Sequence, residues 1–177
     1  MHILSVYFVL LVFFTFTQVA FATDNDEGKL FSAEWLYATD DFNDEGIIEA
    51  GILIKLKPGW HSYGPEPGDF GMPPRIKFSN SEGLEISPPQ YPPTKEFKES
   101  AGISYGYSEA FLVKFKIKTL DRSKIGKINI NFQALLCKDI CVPVDLYLEL
   151  PPPQPCENKE NRKEKWMQAL KIGGWNK

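Results

Sequence analysis

Apolar and polar side chains alternate along this chain in runs that fit extended strands. Ile48, Ala50, Ile52, Ile54 and Leu56 form one such run, which ends at Pro58 and Gly59. Phe111, Val113, Phe115 and Ile117 alternate with Leu112, Lys114 and Lys116 in a second. Two more lie close together: Ile128, Ile130, Phe132, Ala134 and Leu136, then Val142, Val144, Leu146, Leu148 and Leu150. A period of two buries one face and wets the other, so each run predicts a half-buried strand. Residues 30–38, 75–79 and 84–87 predict shorter strands. Residues 88–93 carry too many prolines for a central strand. Residues 40–46 read as a solvated turn, because they lack the regular acidic alternation of a calcium loop. Trp166 and Leu170 stand four apart amid Lys and Glu, which predicts a short surface helix behind a stiff proline spacer at 151–155.

The last two strand runs bracket Cys137, Lys138, Asp139, Ile140 and Cys141. Three residues between strands is a hairpin-length loop. Cys137 and Cys141 then face each other, with Cα atoms expected about 4.5–5.5 Å apart. A disulfide needs about 4.4–6.8 Å, so the hairpin permits one. A ring this small contributes only about 2 kcal/mol by chain entropy. Two readings follow: a local structural clip, or a redox pair that opens and closes.

Composition narrows the class. A chain of 177 residues is one domain plus short appendages. Its aromatic, proline and glycine content suits an all-β sandwich with many turns. With a net charge of −3 and no basic field, nucleic acid is excluded as the expected partner. Residues 1–22 are apolar and end in Ala20, Phe21 and Ala22, a small-x-small cleavage pattern. They predict a secretory signal peptide, with an uncleaved anchor as the alternative. Either places residues 23–150, the predicted sandwich, where disulfides persist, with the spacer and helix at 151–177. No later run is apolar enough to span a bilayer. Cys156 is the odd cysteine and stands in the spacer.

Trp60, His61 and Tyr63 crowd together after the Ile48–Leu56 run. His61 is either a proton carrier or a residue packed on a strand end with a satisfied hydrogen bond. Phe97 is the only large apolar side chain in a polar stretch at 94–100. It is either a satellite core contact or a lid over something reactive. Tyr105 and Tyr107 follow in a glycine-rich segment.

Several motifs then coincide in order: Trp60, His61, Ser62 and Tyr63; Pro67, Gly68 and Asp69; Pro74, Arg75 and Ile76; Ser104, Tyr105, Gly106 and Tyr107; and the run from Cys137 to Pro143. Together they resemble the N-terminal periplasmic domain of the thiol:disulfide interchange protein DsbD and its relatives, over roughly residues 30–150. The resemblance implies an immunoglobulin-like β-sandwich with a redox-active cysteine pair on one hairpin. It implies Cys137 and Cys141 as the exchanging pair, with Cys141 forming the mixed disulfide. It implies an aromatic cap, which falls on Phe97, with Trp60, Tyr63 and Tyr105 as further shielding residues. Lys138, Asp139, Pro143 and His61 are the expected partner-binding positions. Lys138 favours a thiolate and Asp139 opposes it.

The family's partners are thioredoxin-fold periplasmic proteins and a membrane electron conduit. This sequence includes neither the conduit nor a thioredoxin domain, so both are expected to be separate proteins. The predicted function is therefore a periplasmic thiol–disulfide exchange module, of protein-disulfide reductase type if catalytic, needing no cofactor and no metal. The rivals are a non-catalytic immunoglobulin-like binding module with a clipped hairpin, and a copper-handling domain using Cys137, Cys141, His61 or Met72.

Overall fold

The computed structural model describes residues 29–79, 82–100, 102–153 and 159–175. The predicted leader and Cys156 lie outside them. The described residues form ten strands and one α-helix: β1 (Phe31–Tyr37), β2 (Ile47–Leu56), β3 (His61–Gly68), β4 (Arg75–Ser79), β5 (Leu84–Ile86), β6 (Lys95–Glu99), β7 (Gly102–Tyr107), β8 (Ala110–Thr119), β9 (Ile128–Cys137), β10 (Cys141–Leu150) and α1 (Lys159–Ile172). One sheet runs β1-β2-β8-β5 and the other β10-β9-β3-β7-β6, with β4 also paired to β9. All pairings are antiparallel. This is an all-β, immunoglobulin-like sandwich with a short C-terminal helix.

The alternating runs do what their period dictates. Ile48, Ala50, Ile52 and Ile54 of β2, Phe111, Val113, Phe115 and Ile117 of β8, and Ile128, Ile130, Phe132 and Leu136 of β9 meet in one buried core between the sheets. Leu36, Leu53 and Leu112 point the other way and would be exposed without α1. The helix covers them with Trp166 and Ala169, making a second core outside the first sheet. Close approach is possible because Gly51 and Gly173 have no side chain: a Cβ on either would fall within 3 Å of Leu112. The acidic turn at 40–46 is pinned by Asn43, whose side-chain oxygen accepts from the Glu45 and Ile47 amides, and by Arg122, which donates to the Asn43 carbonyl at 2.6 Å.

Two segments are strands that the alternation of apolar and polar positions does not announce. Residues 65–68 lie within β3 despite Pro65 and Pro67, because pairing with β7 lapses between Tyr63 and Gly68 and no ladder amide is needed there. Residues 94–99 are not a loop around a lone Phe: β6 is an edge strand on β7, and its charges suit a strand with one free side.

Candidate functional site

The β9–β10 hairpin sets the site. Its register pairs Cys141 with Cys137, Val142 with Leu136 and Pro143 with Leu135. The two cysteines form a disulfide with Cα atoms 4.1 Å apart. Leu136 points into the sandwich core, so Cys137, next in sequence, points to the outer face. Strand β3 repeats this parity: Ser62 pairs with Leu136 and is buried, while His61 pairs with Cys137. His61, Tyr63, Cys137 and Cys141 thus share the outer face of the second sheet.

An outer face is normally wet, yet Cys137 is only 2% exposed and Tyr63 only 3%. Local side chains supply the cover. Phe97 of β6 stacks on the His61 ring, centroids 5.0 Å apart at 25°. His61 meets Tyr63 edge to face at 5.6 Å, and Phe70 does the same to Tyr63 at 6.2 Å. Gly71, with φ of 104°, lies flat against the Tyr63 ring, where a Cβ would come within 2.5 Å of it. Phe97 is not among the side chains packed on either core. Cys141, by contrast, is exposed at the hairpin end.

The Tyr63 hydroxyl lies 3.6 Å from Cys137 Sγ. A disulfide sulfur carries no proton, so the O–H is the donor. Burial, and after it the Glu99 charge, raise the Tyr63 phenol above its ordinary range, which keeps that donor protonated near neutrality. Glu99 Oε1 also stands 3.6 Å from His61 Nε2. That nitrogen is buried and has no hydrogen-bond partner among the described residues.

The other expected site residues spread around this centre. Trp60 packs against the main core and, with His61 and Phe97, lines an open cleft of about 720 Å3. The Lys138 side chain lies over Gly59, at the turn leading into β3. Lys138, Asp139 and Ile140 are exposed at the tip, Ile140 at 68%. Pro143 is exposed on β10. Tyr105 is half-exposed over Gly68, at the far end of β3 from the disulfide. Glu99, Phe70 and Gly71 were not singled out by the sequence; the alternation of Lys95, Phe97 and Glu99 was the one available signal for Glu99. Among the described residues no group of three or more His, Cys, Asp or Glu converges as metal ligands would.

A sandwich carrying a buried-and-exposed cysteine pair on an outer sheet face is the class that fold and site define. The family model for the thiol:disulfide interchange protein DsbD, N-terminal, matches residues 32–153, and the chain belongs to this family. Among solved structures it is similar to the N-terminal periplasmic domain of ScsB from Proteus mirabilis, with a TM-score of 0.62 and 20% identity over 82% of this chain. The match covers 55% of that ScsB domain, so the chain spans little more than half of its length. The Neisseria meningitidis DsbD N-terminal domain in its reduced form gives a TM-score of 0.44, 15% identity, and coverage of 70% of this chain and 86% of that one. The same domain in complex with the PilB N-terminal domain gives 0.45, 14%, 68% and 82%. No curated protein matches the chain. Family membership and the bonded pair support a thiol–disulfide exchange module.

Proposed function

We propose that this chain is a periplasmic thiol–disulfide exchange module that passes reducing equivalents to thioredoxin-fold partners through Cys137 and Cys141. The observation that carries the reading is the asymmetry of the pair: Cys137 is buried against the Tyr63 hydroxyl and Cys141 is exposed. In the reduced module, the Cys141 thiolate attacks one sulfur of a partner disulfide. The partner's other sulfur leaves as a thiolate, and a mixed disulfide forms. The Cys137 thiolate then attacks Cys141 Sγ and releases the partner's remaining thiolate. The partner gains two electrons and two protons; the module ends as the Cys137–Cys141 disulfide.

Each covering residue has a part in this scheme. Tyr63 donates to the Cys137 sulfur and favours its thiolate in the resolving step. Phe97, with Trp60 beside the cleft, shields the Cys137 side of the pair until a partner docks. Lys138, Asp139 and Pro143 surround Cys141 and meet the partner. The Neisseria meningitidis DsbD N-terminal domain is known in complex with the PilB N-terminal domain. A separate membrane electron conduit would regenerate the dithiol, and residues 1–22 would export the chain. No helix among the described residues is long and apolar enough to cross a membrane.

The test is a trap. A reduced Cys137→Ser variant added to a periplasmic extract should form thiol-reversible adducts with thioredoxin-fold proteins. Cys141→Ser should form few. Equal failure of both variants would refute the exchange reading.

A further inference from the structure

We propose that His61 and Glu99 are positioning residues for disulfide exchange, forming a protonation-dependent latch that holds the β6 cap over the buried Cys137 side of the disulfide. The inference rests on the exchange-module reading and adds a control to it.

Buried polar atoms normally have partners, and among the described residues His61 Nε2 has no hydrogen-bond partner. Glu99 Oε1 stands 3.6 Å away, just beyond bonding range, and its side chain is 39% exposed. A neutral imidazole leaves this contact weak. A protonated one turns it into a charge-assisted N–H to carboxylate bond after a shift of a few tenths of an ångström. The bond would tie two separate elements. His61 belongs to β3 and is the register partner of Cys137. Glu99 lies on β6, two residues after Phe97, which already stacks on the His61 ring. Glu99 also faces Tyr63, the residue at the Cys137 sulfur.

The surroundings leave Glu99 as the anion that answers His61. From β3 itself comes the Tyr63 ring, from β9 the disulfide, and from the hairpin tip the Lys138 chain over Gly59. Across the cleft stands Glu109, which pairs with Lys95 at 3.9 Å. The sign follows from linkage. A closed cap stabilises the imidazolium, so protonation stabilises the closed cap. The latch tightens when His61 gains a proton and loosens when it loses it.

The experiment measures reduction of the oxidised protein by glutathione between about pH 5 and pH 8, the range in which an imidazole side chain in general can change charge. The ratio of Glu99→Gln to wild-type rate constants cancels the reductant's own ionisation. That ratio should be about two- to fivefold at the acid end, the range of a half-exposed ion pair, and should fall towards one at the alkaline end. In a His61→Phe background, which keeps a ring stacked on Phe97, Glu99→Gln should change nothing. A ratio constant with pH, or an unchanged effect in the His61→Phe background, overturns the latch. If Phe97→Ala speeds reduction while the Glu99→Gln ratio stays flat, the latch alone falls and the exchange module stands. A disulfide that glutathione reduces in none of these proteins removes the exchange reading as well.

Discussion

Tyr63 and Cys137 belong to neighbouring strands of one sheet and meet hydroxyl to sulfur, 3.6 Å apart, on a face that points away from the sandwich core. A phenol donor aimed at a sulfur matters most when the sulfur is an anion. Tyr63→Phe, made with Cys141→Ser to leave one site thiol, should raise the Cys137 thiol pKa by about one to two units, the worth of a hydrogen bond to a charged group. The pH dependence of alkylation of the reduced protein reads this directly. An unchanged titration would deny the hydroxyl its role.

Phe97 sits on an edge strand and outside both cores. Phe97→Ala should therefore react faster with glutathione and cost clearly less than the about 3–5 kcal/mol expected for a core Phe. Rate and denaturant midpoint on the same variant decide between cap and core. A large midpoint drop with an unchanged rate would return Phe97 to the core reading.

Trp166 gives the opposite pattern. It lies on α1, buried against Leu36, Leu53 and Leu112 of the sheet that does not carry the disulfide. Trp166→Ala should lose about 3–5 kcal/mol by denaturant unfolding. The glutathione rate of the folded protein should not change.

Alkali should destabilise the fold through its buried phenols. Burial pushes Tyr91 up to about 12, and it raises Tyr37 and Tyr107 further. Tyr37 and Tyr107 donate to the carbonyls of Pro151 and Pro92 at 2.8 and 2.9 Å. A raised folded-state value means the folded protein keeps protons that the unfolded chain releases. Stability is then full below the unfolded tyrosine value of about 10 and falls as pH rises beyond it. Denaturant midpoints should drop between about pH 10 and 12. Tyr107→Phe should flatten that drop; an equal drop in the variant would assign it elsewhere.

The hairpin was legible because its causes are local. Period two fixed the faces of β9 and β10, and a three-residue loop left one register, the one that pairs Cys137 with Cys141. Strand β3 was hidden beyond Tyr63 because Pro65 and Pro67 argue against a ladder, and only the lapse in its pairing with β7 makes room for them. Strand β6 was hidden because Lys95, Glu96, Lys98 and Glu99 read as a solvated loop, although charge is also what an edge strand carries. The site's cover was least visible. Phe70, Gly71 and Glu99 reach Tyr63 and His61 from separate segments, and no spacing in the chain announces their meeting.

Every role assigned to the site requires Cys137–Cys141 to be an exchanging disulfide. The most direct measurement is its equilibrium potential, read by thiol labelling and mass in thiol–disulfide buffers of stepped composition. An exchanging pair should titrate at a potential less negative than about −300 mV. A value well below that would make the bond a structural clip and rule out exchange through it.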